Sequence, residues 1–193
     1  LMIVAMLVTI FAIDTELKAG TAREWLDTAG GSVFPALVGK MLPLVVMMLL
    51  MTLMMFLILF KIVGVPLNGS LTALLFGCML FVLAYMAIGV LIVTLLSNLR
   101  LSLSIGGGYS VLAFTFSGLT FPMMAMYPWV QAFSKIFPFT FYTDIFIDQA
   151  LRGAPVVDSL WDMGYIALFI VLPMLCLPRL RKICSDEKYW GRM

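Results

Sequence analysis

Asp144 and Asp148 stand four residues apart, with Thr143, Gln149 and Arg152 beside them. At that spacing both carboxylates share one helix face, so an aspartyl pair is the first chemistry to weigh. Such a dyad needs its carboxylates to converge at close range. Asp148 and Arg152 also form an i,i+4 pair of opposite charge, which favours a capping or solvated role over catalysis. Gly106-Gly107-Gly108 is the other tempting cluster. No strand precedes it and no Lys adjoins it, so close helix packing explains it better than phosphate binding.

Other chemistries lack their residues. The chain has no histidine, which removes His-based dyads and triads, HExxH metal sites and His-ligated haem. No Gly-x-x-x-x-Gly-Lys-Ser/Thr phosphate loop occurs, so ATP hydrolysis through that motif is excluded. Cys78, Cys176 and Cys184 have neither pairing nor metal spacing; Cys78 and Cys176 read as small packing residues. The expectation is no catalytic residue and no metal.

The elements that hold these residues are apolar. Of 193 residues 63% are hydrophobic and 11% charged, against about 25% charged in an average soluble domain. Met41–Phe60 runs twenty residues without a charge, Leu71–Leu96 twenty-six and Leu101–Phe121 twenty-one. Met163–Pro178 runs sixteen and reaches span length with Trp161 and Leu180. Stretches of this kind predict membrane-spanning helices. Leu1–Ile13 is thirteen residues, too short to cross alone. It lacks the basic start and small-residue cleavage site of a signal peptide, so it reads as the end of a span that begins before Leu1. The fold class is an all-α integral membrane protein, a polytopic helical bundle with five apolar runs.

Charge orients the bundle. Segments 14–40, 97–100 and 179–193 hold nine Lys and Arg: Lys18, Arg23, Lys40, Arg100, Arg179, Arg181, Lys182, Lys188 and Arg192. Segments 61–70 and 122–162 hold three, Lys61, Lys135 and Arg152. Lys and Arg concentrate on the cytoplasmic side, so 14–40, the 97–100 turn and the C-terminus face the cytoplasm.

Two connectors have shape. In 14–40, Thr21 is placed to cap a short helix with Glu24 three residues on, the capping-box spacing. Trp25 and Leu26 form its apolar side; Arg23, Glu24 and Asp27 form its polar side. Gly30-Gly31 stops it, and Phe34-Pro35 leads into a second turn ending at Gly39-Lys40. A surface helix of this kind rests on lipid or docks a partner; an ordinary loop with an interfacial Trp is the alternative. Segment 122–162 is dense in aromatics and broken by Pro122, Pro128 and Pro138. It predicts helices at about 128–136 and 139–151, ended by Arg152-Gly153-Ala154-Pro155. Its apolar content favours a re-entrant hairpin in the outer leaflet over a loop lying flat.

The order of these features resembles the membrane subunit of type-2 ABC transporters. Three stretches carry the resemblance: Glu16–Lys40, Ser117–Pro128 (SGLTFPMMAMYP) and Phe137–Gly153 (FPFTFYTDIFIDQALRG). It covers nearly the whole chain. It implies one transmembrane domain over 1–193: a partial span 1–13, a cytoplasmic coupling segment 14–40, and spans 41–60, 71–96 and 101–121. An outer hairpin 122–160, a last span 161–180 and a cytoplasmic tail 181–193 complete it. The family's membrane core has six spans, so the chain resembles a core truncated at its N-terminus. By the same resemblance, Thr21, Arg23, Glu24, Trp25 and Asp27 contact an ABC ATPase subunit. Pro122, Tyr127, Trp129, Pro138, Phe141 and Asp144 belong to an outer gate. The implied partners are that ATPase, a second permease copy or a related permease, and the bilayer, with no nucleic acid. ATP and Mg²⁺ sit on the partner, and this chain binds no cofactor. The implied function is an efflux permease in the bacterial inner membrane. The alternative is a membrane protein that does not use ATP, either a secondary transporter or an assembly scaffold. Met47, Met48, Met51, Met54 and Met55 read as adaptable walls facing either lipid or the pathway.

Overall fold

The computed structural model describes residues 1–120 and 122–185. Phe121 and the tail beyond Ser185, with Lys188 and Arg192, lie outside the described residues. All regular secondary structure among the described residues is helical. Three helical stretches are long and apolar enough to cross a membrane: Val33–Ile62, Leu71–Leu96 and Val156–Ser185.

The helices outrun the apolar runs that predicted them. Helix α1 covers Met2–Ala19, beyond Ile13 and into the charged residues. Helix α2 is Ala22–Thr28. Helix α3, Val33–Leu57, begins eight residues before Met41. The turn expected to end at Gly39-Lys40 is therefore not there: Pro35 lies in the first turn of α3, where a missing N–H costs nothing. Helix α4 is Leu71–Leu96, with Ser70 Oγ accepting from Ala73 N–H. Only Ser97 and Asn98 separate it from α5, Leu99–Phe116, and Asn98 caps α5 through Leu101 N–H. Arg100 thus belongs to the first turn of α5. Helices α6 (Pro128–Ser134) and α7 (Pro138–Phe146) fall where two short helices were expected, each with proline at its start. Helix α8, Val156–Val171, starts earlier than the predicted last span. A 3-10 stretch, Leu172–Cys176, joins it to α9, Leu177–Ser185.

Helix α4 is the centre of the bundle, with Leu74, Cys78, Phe81, Tyr85 and Val93 buried. Helix α1 packs against α4 and α5, and α7 and α8 cover another side of α4. Close approach needs small residues. A Cβ on Gly106 of α5 would lie 2.7 Å from Ile10 Cδ1, and one on Gly89 of α4 would lie 3.1 Å from Met6 O. Gly107 and Gly108 have open space around them, so only the first of the three glycines serves packing here. Helix α3 turns Leu42, Val46, Leu50, Met54 and Leu57 outward, an apolar face suited to hydrocarbon. Of the six methionines in that helix only Met48 is buried.

The bundle has two distinct ends. At one, α2 packs against α1, α3 and α9, and Arg179 donates to Leu95 O at 3.2 Å. At the other, segment 66–70 meets a π-helical stretch, Ile147–Arg152, that continues α7. Asn68 N–H donates to Ala150 O at 3.2 Å and Gly69 N–H to Gln149 O at 2.8 Å.

Gly69 sits where a Cβ would come within 2.6 Å of that backbone oxygen of Gln149. Gly69→Ala should therefore lower the midpoint of thermal unfolding in detergent. Gly108→Ala, with open space around it, should leave the midpoint unchanged or raise it, by roughly 0.5–1 kcal/mol of helix propensity.

Candidate functional site

At the α2 end, four side chains from three helices converge. Lys40 Nζ of α3 contacts Glu16 Oε1 of α1 at 2.5 Å. Thr21, at the start of α2, donates its hydroxyl to Glu16 Oε2. Lys40 Nζ also lies 5.2 Å from the centre of the Trp25 ring, within range of a cation–π contact. The expected capping box does not form: no side chain caps α2, and the Thr21 hydroxyl goes to Glu16 instead. Thr21 has φ −91° and ψ 2°, outside the extended region that an N-cap residue uses, so its oxygen is not aimed at Glu24 N–H and its hydroxyl donates to Glu16. Burial pushes the Glu16 carboxyl up, but the hydrogen bonds from Lys40 and Thr21 and the Lys40 charge outweigh it and hold the acid below its ordinary value.

The faces of α2 are divided. Ala22 and Leu26 are buried, Trp25 is half-buried, and Arg23, Glu24 and Asp27 are exposed. Glycine makes the stop sharp: Gly30 and Gly31 both have positive φ, and Gly31 N–H closes on Leu26 O at 2.9 Å. Asp14, one turn before the end of α1, is buried, and its Oδ2 has no hydrogen-bond partner among the described residues. The apolar-run reading had placed it in a solvated connector.

At the opposite end the hairpin is half outside and half inside the bundle. Tyr127 and Trp129 are each 72% exposed, and Pro122 is exposed. Pro138 and Phe141 are buried, while Asp144 is half-buried. Aromatic contacts hold the inner arm. Phe81 of α4 stacks on Tyr142 with ring centres 4.4 Å apart, Phe141 stacks on Tyr165 of α8 at 5.0 Å, and Phe137 meets Tyr109 of α5 at 5.0 Å. The Tyr109 hydroxyl donates to Ile136 O at 3.0 Å, where α6 has already ended. Burial raises the Asp144 carboxyl above its ordinary value, and the Asp148 charge adds to this while Arg152 opposes it. Asp148 pairs with Arg152 at 3.1 Å, as the spacing predicted.

Gln149 is the residue that sequence reasoning passed over. It is fully buried. Its Oε1 accepts from Ser70 N–H at 3.0 Å, and its Nε2 donates to Ala154 O at 3.2 Å and to Ser159 Oγ at 2.9 Å. One amide thus ties segment 66–70, the end of the hairpin and α8 together. In the sequence Gln149 is hidden among the charged residues Asp144, Asp148 and Arg152 beside it.

A polytopic helical bundle with long apolar outer faces, one charged end and one aromatic end defines a multi-pass membrane protein. The family described as ABC-2 family transporter protein matches residues 1–176, and the chain belongs to that family. It is therefore a membrane permease of the ABC type, a transport component rather than a catalyst. No curated protein and no solved structure matches the chain.

Two measurements follow from this geometry. Gln149→Leu strands buried polar groups on three segments, at about 1–3 kcal/mol for each group left unpaired. It should unfold well below wild type in a detergent melt, and an unchanged midpoint would remove its role as a tie. The Glu16 carboxyl titrates below its ordinary value of 4.5 in the folded chain, so its contribution is fully present above that pH. It is lost as pH falls through the lower folded value. Glu16→Gln should flatten this acid limb in a melt series from neutral to acid pH.

Proposed function

We propose that this permease forms the translocation pathway of an ATP-driven exporter and takes its energy from a separate ATPase subunit. Helix α2 is the coupling helix, docking through Arg23, Glu24 and Asp27, with Trp25 at the edge of the contact and Thr21 fixing the helix start. The observation that carries this reading is the division of α2. Its exposed side is a stripe of charge, while its other side is anchored to α1, α3 and α9. A short helix held this firmly moves with the spans it is tied to, which is what converting a partner's motion into access requires.

Four spans cross the membrane in this reading and 1–13, in α1, is part of a fifth, with α5 joining the three longer stretches and span limits near 41–60, 71–96, 101–121 and 161–180. Segment 14–40 and the tail 181–193 lie in the cytoplasm, in accord with the excess of Lys and Arg there. Segment 122–160 is a re-entrant hairpin in the outer leaflet, and Pro122, Tyr127, Trp129, Pro138, Phe141 and Asp144 form the outer gate. Its buried aromatic arm and exposed Tyr127 and Trp129 support a hairpin packed on protein with an interfacial rim. Two permeases surround the pathway in the bacterial inner membrane. ATP and Mg²⁺ are bound by the ATPase. Export, rather than import, follows from the resemblance to efflux systems.

The test is capture of the ATPase encoded beside the permease, in mild detergent, with turnover measured on the captured complex. Wild type should hold it in fixed stoichiometry. The variant Arg23→Glu/Glu24→Arg should lose it by at least tenfold, while retaining the wild-type melting midpoint. Capture unaffected by the reversal would move the docking surface away from α2. No capture by either form would replace the ATP-driven reading with that of a scaffold or secondary transporter.

A further inference from the structure

A cleft runs between α3, α4 and the last helical stretch, lined among others by Phe34, Leu37, Met41, Val90, Ile170 and Leu177. No polar side chain lines it. It lies at the α2 end, because Phe34 through Met41 form the first turns of α3 and Leu177 opens α9. Arg181 follows Leu177 by four residues and so continues the same helical stripe one turn further out. Arg179, Arg181 and Lys182 are all exposed, whereas Leu180, Ile183 and Cys184 are buried. Helix α9 carries no acidic residue. Lys40, the cation of α3 nearest in sequence to the cleft, is held by Glu16. Arg179 donates to Leu95 O, and Arg181 and Lys182 are exposed cations of α9 at this end of the cleft, with no ion pair among the described residues.

A groove without polar lining has nothing to offer water. Beside a membrane its natural filler is hydrocarbon. Exposed cations one turn beyond the groove then select the other half of the ligand, because basic pockets between membrane helices hold anionic headgroups. Arginine in particular offers paired donors to phosphate oxygens.

We propose that this cleft and the outer face of α9 form a binding site for an anionic diacyl phospholipid of the adjoining leaflet. One acyl chain lies against Leu37, Val90 and Ile170, and the phosphate rests on Arg181 and Lys182 with Arg179 beside it. The site rests on the reading of α3 and the last stretch as membrane spans. The bound lipid fills the seam between these two helices next to α2, so the leaflet's charge bears on the same end of the bundle as the coupling helix.

Native mass spectrometry of the full-length permease, purified without the ATPase and titrated with phosphatidylglycerol or phosphatidylcholine of matched chains, tests this. Wild type should retain phosphatidylglycerol over phosphatidylcholine. Arg181→Gln/Lys182→Gln should lose that preference by roughly fivefold for each cation removed, and Arg181→Lys/Lys182→Arg should restore it. Ala87→Phe, which fills the cleft from α4, should lower retention of both lipids. Glycerol phosphate without acyl chains should not displace the bound lipid. Equal retention of the two lipids by wild type, or a preference untouched by the charge-removing pair, would overturn the site. Displacement by glycerol phosphate would reduce it to a surface anion patch and overturn the role of the cleft. Loss of ATPase capture is read in a separate experiment and leaves this result standing.

Discussion

In hydrocarbon no water is present to satisfy a backbone N–H or C=O, so every interruption of a helix must find partners within the chain. This structure interrupts its helices between α3 and α4 and between α7 and α8, and it brings those two interruptions together. The π-helical stretch Ile147–Arg152 frees carbonyls that a regular helix would use. Asn68 and Gly69 take up those of Ala150 and Gln149, and Asn68 Nδ2 takes that of Leu151 at 2.8 Å. The Gln149 amide then closes the remaining gaps on Ser70, Ala154 and Ser159. The irregular end of the bundle thus pairs the backbone N–H groups of Asn68, Gly69 and Ser70 within the chain, and the end of α7 is held there.

The two ends solve different problems with different interactions. The end with α7 is joined by rings: Phe81, Tyr85, Tyr142, Phe137, Tyr109, Phe141 and Tyr165 interlock four helices with neighbouring centres 4.4 to 6.2 Å apart. Ring contacts tolerate sliding and tilting better than directional bonds. The α2 end is joined by charge and hydrogen bonds among Glu16, Lys40 and Thr21, which demand fixed geometry. A transport bundle that must yield at one end and stay registered at the other is served by this distribution.

Much of this was legible from residue types. Helical class, the stop at Gly30-Gly31, the two proline-led helices and the Asp148–Arg152 pair all come from short-range rules, and each stands in the structure. The misreadings share one cause: a hydropathy run ends at the first charge, but a helix does not. Helix α1 carries Asp14, Glu16 and Lys18 within its last turns, and α3 takes in Gly39 and Lys40; Glu16 and Lys40 pair across the two helices, while Asp14 is buried with its Oδ2 unpartnered. The Glu16–Lys40 pair joins residues 24 apart, and Gln149 reaches back 79 residues to Ser70. Neither separation has a periodicity to betray it. The Thr21 hydroxyl likewise finds its partner, Glu16, on another helix, which the capping-box spacing does not encode.

The split between the inner and outer sides of α2 has an evolutionary consequence. Glu16, Thr21 and Lys40 hold the lever in place without facing outward, while Arg23, Glu24 and Asp27 face outward without holding anything. On the proposed docking of an ATPase to α2, recognition and leverage fall to separate side chains. Three substitutions on the outer side would then redirect the proposed contact toward a different motor, or insulate it from a neighbouring system's motor, with the inner anchoring left as it was.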